Sequence, residues 1–241
     1  MKFVYNGICV HYATYGKKSE RATLLLHGWG SSGKVFDNLK DAFNGERYFV
    51  VPDFPPFGES GSLVCSWTIF SYASMVMSLC EHLGIKEVDV LGHSFGGRIA
   101  ILLAGLECSF VHSCILVDSA GLKPKFSLKA RFKVLKYKTK KFFGKNVDNM
   151  GSPDYLALPP CMRGVFVNVV NTFLEPYLSK IQAPTLIVWG QKDKETPLYM
   201  AKRLNRKIKR SSLVVLNGGH FVFLDSPLAF YKVVREFWEA K

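Results

Sequence analysis

The sequence predicts an α/β fold: a doubly wound, mostly parallel eight-stranded sheet with a helical lid inserted over residues 121–183. Three observations predict it. Short apolar, β-rich runs alternate with segments of helical spacing through the later chain, the pattern of parallel strands joined by right-handed crossovers. The 241 residues, 48% of them hydrophobic, suit one domain with a substantial core. Residue types that perform chemistry follow the ends of the apolar runs, which is where ligands bind in such sheets.

Strands are expected near 2–5, 9–14, 22–26, 47–52, 87–91, 113–117, 184–189 and 212–216. A helix over 71–83 places Tyr72, Met75, Val76, Leu79 and Leu83 on one face, and Gly84 is a fitting stop. Residues 98–104 form a helix-like stretch, and 198–204 and 228–238 read as the last two helices. No internal repeat or low-complexity linker interrupts the chain. Residues 1–241 therefore read as a single domain, with a core of 1–120 and 184–241.

The most informative segment is Gly92-His93-Ser94-Phe95-Gly96, placed between an apolar run and a helix-like one. A G-x-S-x-G sequence in a strand-turn-helix setting is a nucleophile elbow: the glycines remove Cβ atoms that would clash as the chain reverses, leaving the serine exposed at a helix start. A serine hydroxyl is a weak nucleophile at neutral pH, so it needs a histidine to take its proton and a carboxylate to orient that histidine. Asp193 follows the apolar run 184–189, and His220 follows 213–216 and Gly218-Gly219. Ser94, Asp193 and His220 are thus the expected catalytic residues, in the order serine, acid, histidine. Asp118, which ends the run 114–117, competes with Asp193 for the acid.

An oxyanion hole needs two backbone N–H groups aimed at the developing charge. Thr23 to Gly30 contains His27-Gly28-Trp29 after an apolar run. Together these segments resemble the α/β-hydrolase superfamily over most of the chain outside residues 121–180. The resemblance implies that the amides of Trp29 and Phe95 are the oxyanion donors and that His27 braces the loop. It also implies a loop-bracing role for Asp53, which begins a turn stiffened by Pro55-Pro56. Family members with epoxide hydrolase or haloalkane dehalogenase activity carry an aspartate at the elbow, so Ser94 argues against both.

His11, His82, His93 and His112 show no matching partner signal and read as packing or surface residues. The amino-terminal residues lack the apolar stretch of a signal peptide, and no later run approaches the roughly 18 residues of a membrane span. A cytoplasmic location is expected. Cys9, Cys65, Cys80, Cys108, Cys114 and Cys161 lack C-x-x-C spacing and read as buried free thiols rather than a zinc site or disulfide frame. No metal or cofactor is expected.

The insertion is strongly basic. Ten lysines and arginines, from Lys123 to Lys145, occur with no acid between Ser119 and Val147, within a chain of net charge +13. Leu128, Phe132, Leu135 and Phe142 share a helical face there, while Phe126, Leu128, Ala130, Phe132 and Val134 alternate as a strand would; the lysines and leucines favour helix. The stretch reads in three ways: a solvated surface, a device steering an anionic substrate, or a contact with an anionic membrane surface. Nucleic acid is not expected, because no binding fold accompanies the charge. Farther on, Phe166, Val169, Val170 and Phe173 form a second stripe, and a short apolar-lined cap fits a small or medium acyl group.

The expected activity is a carboxylesterase-type serine hydrolase acting on a small-molecule acyl compound through an acyl-enzyme. Two alternatives remain at this point. Gly92 to Arg98 also resembles the elbows of carbon-carbon bond hydrolases and of the menaquinone-pathway synthase, a lyase acting on an anionic substrate. The same fold also serves as a ligand receptor or interaction module.

Overall fold

The computed structural model describes residues 1–63, 67–106, 109–125, 139 and 152–240. The basic residues expected at 129–145 and the apolar stripe among them lie outside the described residues, as do Cys65 and Cys108.

All eight expected strands form and join one sheet. They are β1 (Lys2–Tyr5), β2 (Ile8–Tyr15), β3 (Arg21–Leu26), β4 (Phe49–Pro52), β5 (Glu87–His93), β6 (Val111–Val117), β7 (Thr185–Gly190) and β8 (Ser211–Leu216), in the spatial order β1-β2-β4-β3-β5-β6-β7-β8. Asn6 and Gly7, both at positive φ, close the tight β1–β2 hairpin. β2 also runs antiparallel to β4, and every pairing from β4 through β8 is parallel.

The parallel strands are apolar without alternation because both faces are covered. Leu24, Leu26, Val90, Leu116, Ile187 and Trp189 point into one core layer. Their neighbours Leu25, Leu91, Ile115, Val117, Leu186 and Val188 point into the other. The second layer is closed by Leu39 of α1 (Asp37–Ala42), by Phe223 of α8 (Val222–Asp225), and by Phe230, Val234 and Trp238 of α9 (Pro227–Glu239).

The first layer is closed by α2 (Ile69–Leu83), α3 (Phe95–Leu106) and α7 (Tyr199–Lys207). A capping box between Thr68 and Ser71 starts α2 two residues before the sequence pattern places it, and Gly84 at φ 72° ends it. Between β6 and β7 the chain forms α4 (Pro153–Ala157), α5 (Pro160–Asn171) and α6 (Glu175–Leu178). Phe173 falls beyond the end of α5, so the second apolar stripe is shorter than its spacing implies. Met162, Val165 and Val169 are the buried residues of α5.

Among the described residues no helix is long and apolar enough to cross a membrane. Cys9, Cys80, Cys114 and Cys161 are free thiols. Cys161 is exposed and Cys9 half-buried, against the expectation of burial, because one opens the solvent side of α5 and the other lies on a strand near the sheet edge.

The turn from β5 into α3 depends on close backbone approach. A Cβ on Gly96 would fall on the Leu26 carbonyl, and one on Gly92 would meet the Gly96 carbonyl, so in both cases the obstacle is main chain. Replacing Gly96 by alanine is therefore expected to cost about 3 kcal/mol or more. Thermal unfolding should show Tm lower by roughly 6–12 °C for a domain of this size; an unchanged Tm would contradict the packing described.

Candidate active site

Ser94 follows the last residue of β5 and sits at φ 49°, a left-handed conformation that a serine adopts only when its surroundings impose it. Its N–H donates to Val117 O (3.1 Å), and its carbonyl accepts from Gly97 N and Ala120 N, both at 3.1 Å. The elbow is thus locked to the end of β6 as well as to its own helix. The hydroxyl projects toward His220, with Oγ 2.9 Å from Nε2.

His220 comes from the loop after β8, and its Nδ1 lies 2.9 Å from Asp193 Oδ2. The carboxylate accepts, so the proton sits on Nδ1 and Nε2 is free to take the serine proton. Asp193 is buried in the loop after β7, and both oxygens are engaged. Oδ1 accepts the N–H groups of Glu195 (2.8 Å) and Thr196 (3.0 Å), and Oδ2 accepts the Thr196 hydroxyl at 2.6 Å. Burial alone would raise this carboxyl, but the bonds from His220 and Thr196 outweigh it and hold it below the ordinary range. Burial likewise opposes protonation of His220, yet the bond and charge of Asp193 move it above its ordinary value of 6.5.

Asp118 does not supply the carboxylate bonded to the ring. Its Oδ1 accepts Gly190 N at 2.7 Å and its Oδ2 accepts Val222 N at 3.3 Å, joining the roots of the Asp193 and His220 loops. Burial pushes it up to about 8, with the charge of nearby Asp193 adding to the shift. Asp118 also has positive φ, 43°.

Trp29 and Phe95 both line the cavity beside Ser94, a space of about 200 Å³ that also contacts Arg98, Phe166 and Val170. The loop carrying Trp29 passes close to the elbow: a methyl group on Gly28 would lie 3.5 Å from Ser94 Cβ. Phe95 opens α3, so its N–H has no carbonyl one turn earlier in that helix. The Trp29 ring packs edge-on against Phe57, Phe95 and Phe166, at centroid distances of 4.9, 5.2 and 5.3 Å. His27 is fully buried, with Nδ1–H donating to Gly28 O (2.7 Å) and Nε2 accepting from Phe54 N (2.8 Å). Burial lowers it to about 4, so it braces this loop as a neutral ring. Asp53 accepts Gly33 N at 2.7 Å and Glu59 N at 2.9 Å across the next loop.

Three of the histidines that lacked a partner signal have partners brought from afar. His93 Nε2–H donates to His220 O at 2.7 Å, and burial lowers the ring to about 3, so it holds the His220 backbone while staying neutral. His11 Nδ1 meets Asp53 at 2.9 Å, and His112 Nδ1 meets Asp89 at 3.1 Å. Three further residues of the site carry no signal in the sequence: Thr196, Glu195 and Arg98. Arg98 donates to Val169 O (3.0 Å), Val170 O (3.3 Å) and Thr172 O (2.8 Å), fastening the carboxyl end of α5 to α3. Its burial brings the guanidinium down to about 10.

Known proteins share this architecture along nearly the whole chain. The sequence is 26% identical to the uncharacterized hydrolase YugF of Bacillus subtilis (strain 168), over 98% of this chain and 96% of that protein. It is also 26% identical to 2-hydroxy-6-oxononadienedioate/2-hydroxy-6-oxononatrienedioate hydrolase 2 of Pseudomonas putida, over 95% and 91% of the two chains. The structure superposes on a thermophilic esterase from Thermogutta terrifontis with a TM-score of 0.77 at 21% identity, covering 99% of this chain and 96% of the other. The profile of the alpha/beta hydrolase fold family matches residues 23–149 and 161–227. With the strand order, the elbow and this match in agreement, the chain belongs to the alpha/beta hydrolase fold family.

Proposed function

We propose that the protein is a serine hydrolase that cleaves a small or medium carboxylic ester through Ser94, His220 and Asp193. The observation that carries the reading is the hydrogen-bonded chain Ser94 Oγ–His220–Asp193, 2.9 Å at each link, opening onto a cavity. Ser94 attacks the ester carbonyl while His220 Nε2 takes its proton, and the amides of Trp29 and Phe95 receive the oxyanion. Collapse releases the alcohol, protonated by His220, and leaves Ser94 acylated. Water, deprotonated in turn by His220, attacks the acyl-enzyme and restores the serine. Asp193 stabilises the imidazolium at both stages. The cavity of about 200 Å³ is smaller than the roughly 300–1,000 Å³ typical of drug-sized ligands, which favours short acyl groups.

Carbon-carbon bond hydrolysis is the second reading, supported by the likeness to the 2-hydroxy-6-oxononadienedioate/2-hydroxy-6-oxononatrienedioate hydrolase 2 of Pseudomonas putida. It uses the same residues on a different bond. A fluorophosphonate probe and p-nitrophenyl esters from acetate to decanoate separate the two readings: labelling of Ser94 with an optimum among short esters favours the first, and labelling without ester turnover favours the second.

Ser94→Ala is expected to lose the labelling and to lower kcat by a factor on the order of 10⁴ or more; near-wild-type turnover would sink the proposal. Because a protonated His220 cannot accept the serine proton, activity should fall as pH drops through the His220 titration. Its midpoint in kcat/KM is expected above 6.5. In Asp193→Asn the bond and charge that raise it are gone, so the midpoint should move down and the neutral-pH rate should drop on the order of 10⁴-fold. A pH profile whose acid limb is identical in the two proteins would contradict the assignment of Asp193.

A further inference from the structure

One charged side chain facing the cavity takes no part in the proposed mechanism. Glu195 lines it beside Ser94 and His220. Its Oε2 lies 3.3 Å from His220 Nε2, the same nitrogen that faces Ser94 Oγ at 2.9 Å. The backbone N–H of Glu195 donates to Asp193 Oδ1, so the side chain rises from the loop that also holds the triad acid. The carboxylate is 65% exposed and stands within ion-pairing distance of His220 whenever that ring becomes protonated. Arg98, which also lines the cavity, is committed to three carbonyls of α5 and the residue beyond it, and Asp193, behind His220, is committed to Thr196, Glu195 N–H and His220.

In the hydrolysis above, and in that of a thioester by the same steps, the acyl-oxygen or acyl-sulfur bond breaks when the tetrahedral adduct on Ser94 Oγ collapses. The serine proton, held on His220 Nε2, passes to the departing atom. That atom must come within about 3 Å of Nε2, so whatever leaves does so alongside Glu195. We infer that Glu195 is a specificity-determining residue that selects leaving groups bearing a positive charge, such as amino or quaternary-ammonium alcohols and thiols, over anionic ones. The inference rests on the serine-hydrolase reading. It concerns the leaving fragment and not the acyl half, and it opposes a substrate that releases an anionic fragment past this loop.

The carboxylate is exposed, so its influence is that of a charge in a water-like medium. At about 4 Å this amounts to roughly fivefold for a cationic leaving group over a neutral one, and a similar factor against an anionic one. Salt should weaken both.

The test uses three butyryl thioesters with leaving thiols of similar size: quaternary-ammonium, neutral and carboxylate. Thiol release is followed at low and high ionic strength with the wild-type chain and Glu195→Gln. The expected result is a kcat/KM order of cation, neutral, anion, with a cation-to-anion ratio on the order of tenfold or more at low salt. That ratio should collapse toward unity in Glu195→Gln and shrink at high salt. The ratio is internal to each protein, so a general loss of activity in the variant does not obscure it. A ratio that is the same in both proteins, or a wild-type preference for the anion, overturns the inference while leaving hydrolysis of the neutral thioester as evidence for the reading beneath it. Where Ser94 reacts but does not turn over, the rates of its phosphonylation by phosphonothioates with the same three leaving thiols carry the same comparison. Failure of Ser94 to react with any of them overturns both the inference and the hydrolase reading.

Discussion

The left-handed backbone of Ser94 is held by contacts on three sides, and the geometry of the site follows from it. Val117 O takes the serine N–H, the Ser94 carbonyl receives two N–H groups, and Gly92 and Gly96 let strand, helix and the β3 loop meet without side chains between them. Strain of this kind, of order 1–3 kcal/mol, persists only where the surroundings over-determine it. The two core layers on either face of the parallel sheet supply that rigidity.

Around this fixed serine the electrostatics are asymmetric. Two carboxyl groups are buried close to His220, and they respond differently because their partners differ. Asp193 receives two N–H groups, a hydroxyl and the imidazole, and remains ionised. Asp118 receives two N–H groups, one of them long, and the neighbouring charge of Asp193 combines with burial to raise it to about 8. Near neutral pH the imidazole is therefore paired with one buried carboxylate, while the other acts as a clasp between the loops after β7 and β8. Neutral His93 and His27 do similar bracing without adding charge.

The segment between β6 and β7 is coupled to the serine through α3. Arg98 lies one helical turn beyond Ser94 and ends its guanidinium on the last carbonyls of α5, whose Phe166 and Val170 face the cavity. Cavity shape and the orientation of Ser94 consequently share one helix. A change in the packing of α5 reaches the cavity directly and the serine through a single buried side chain.

Much of the fold was legible in the sequence because it depends on local signals. The apolar runs, Gly84 and the Gly-x-Ser-x-Gly turn are each written in a few adjacent residues, and all eight strands were placed by them. Ser94, Asp193 and His220 could be singled out because loops after parallel strands gather at one end of the sheet whatever the details of packing. The choice of Asp193 over Asp118 as the residue bonded to His220 needed the tertiary structure, since both follow apolar strands and only distance separates them. The roles of His93, Arg98 and Glu195 were invisible for the same reason: His93 and Arg98 act through partners 71 to 127 positions away and Glu195 through a cavity, while the Thr196 bonds to Asp193, though local, follow no recognisable sequence pattern. The sequence alone determined which strands form and which side chains could react. Only the folded chain decided which of those groups meet, because hydrogen bonds act over about 3 Å of space, irrespective of separation along the chain.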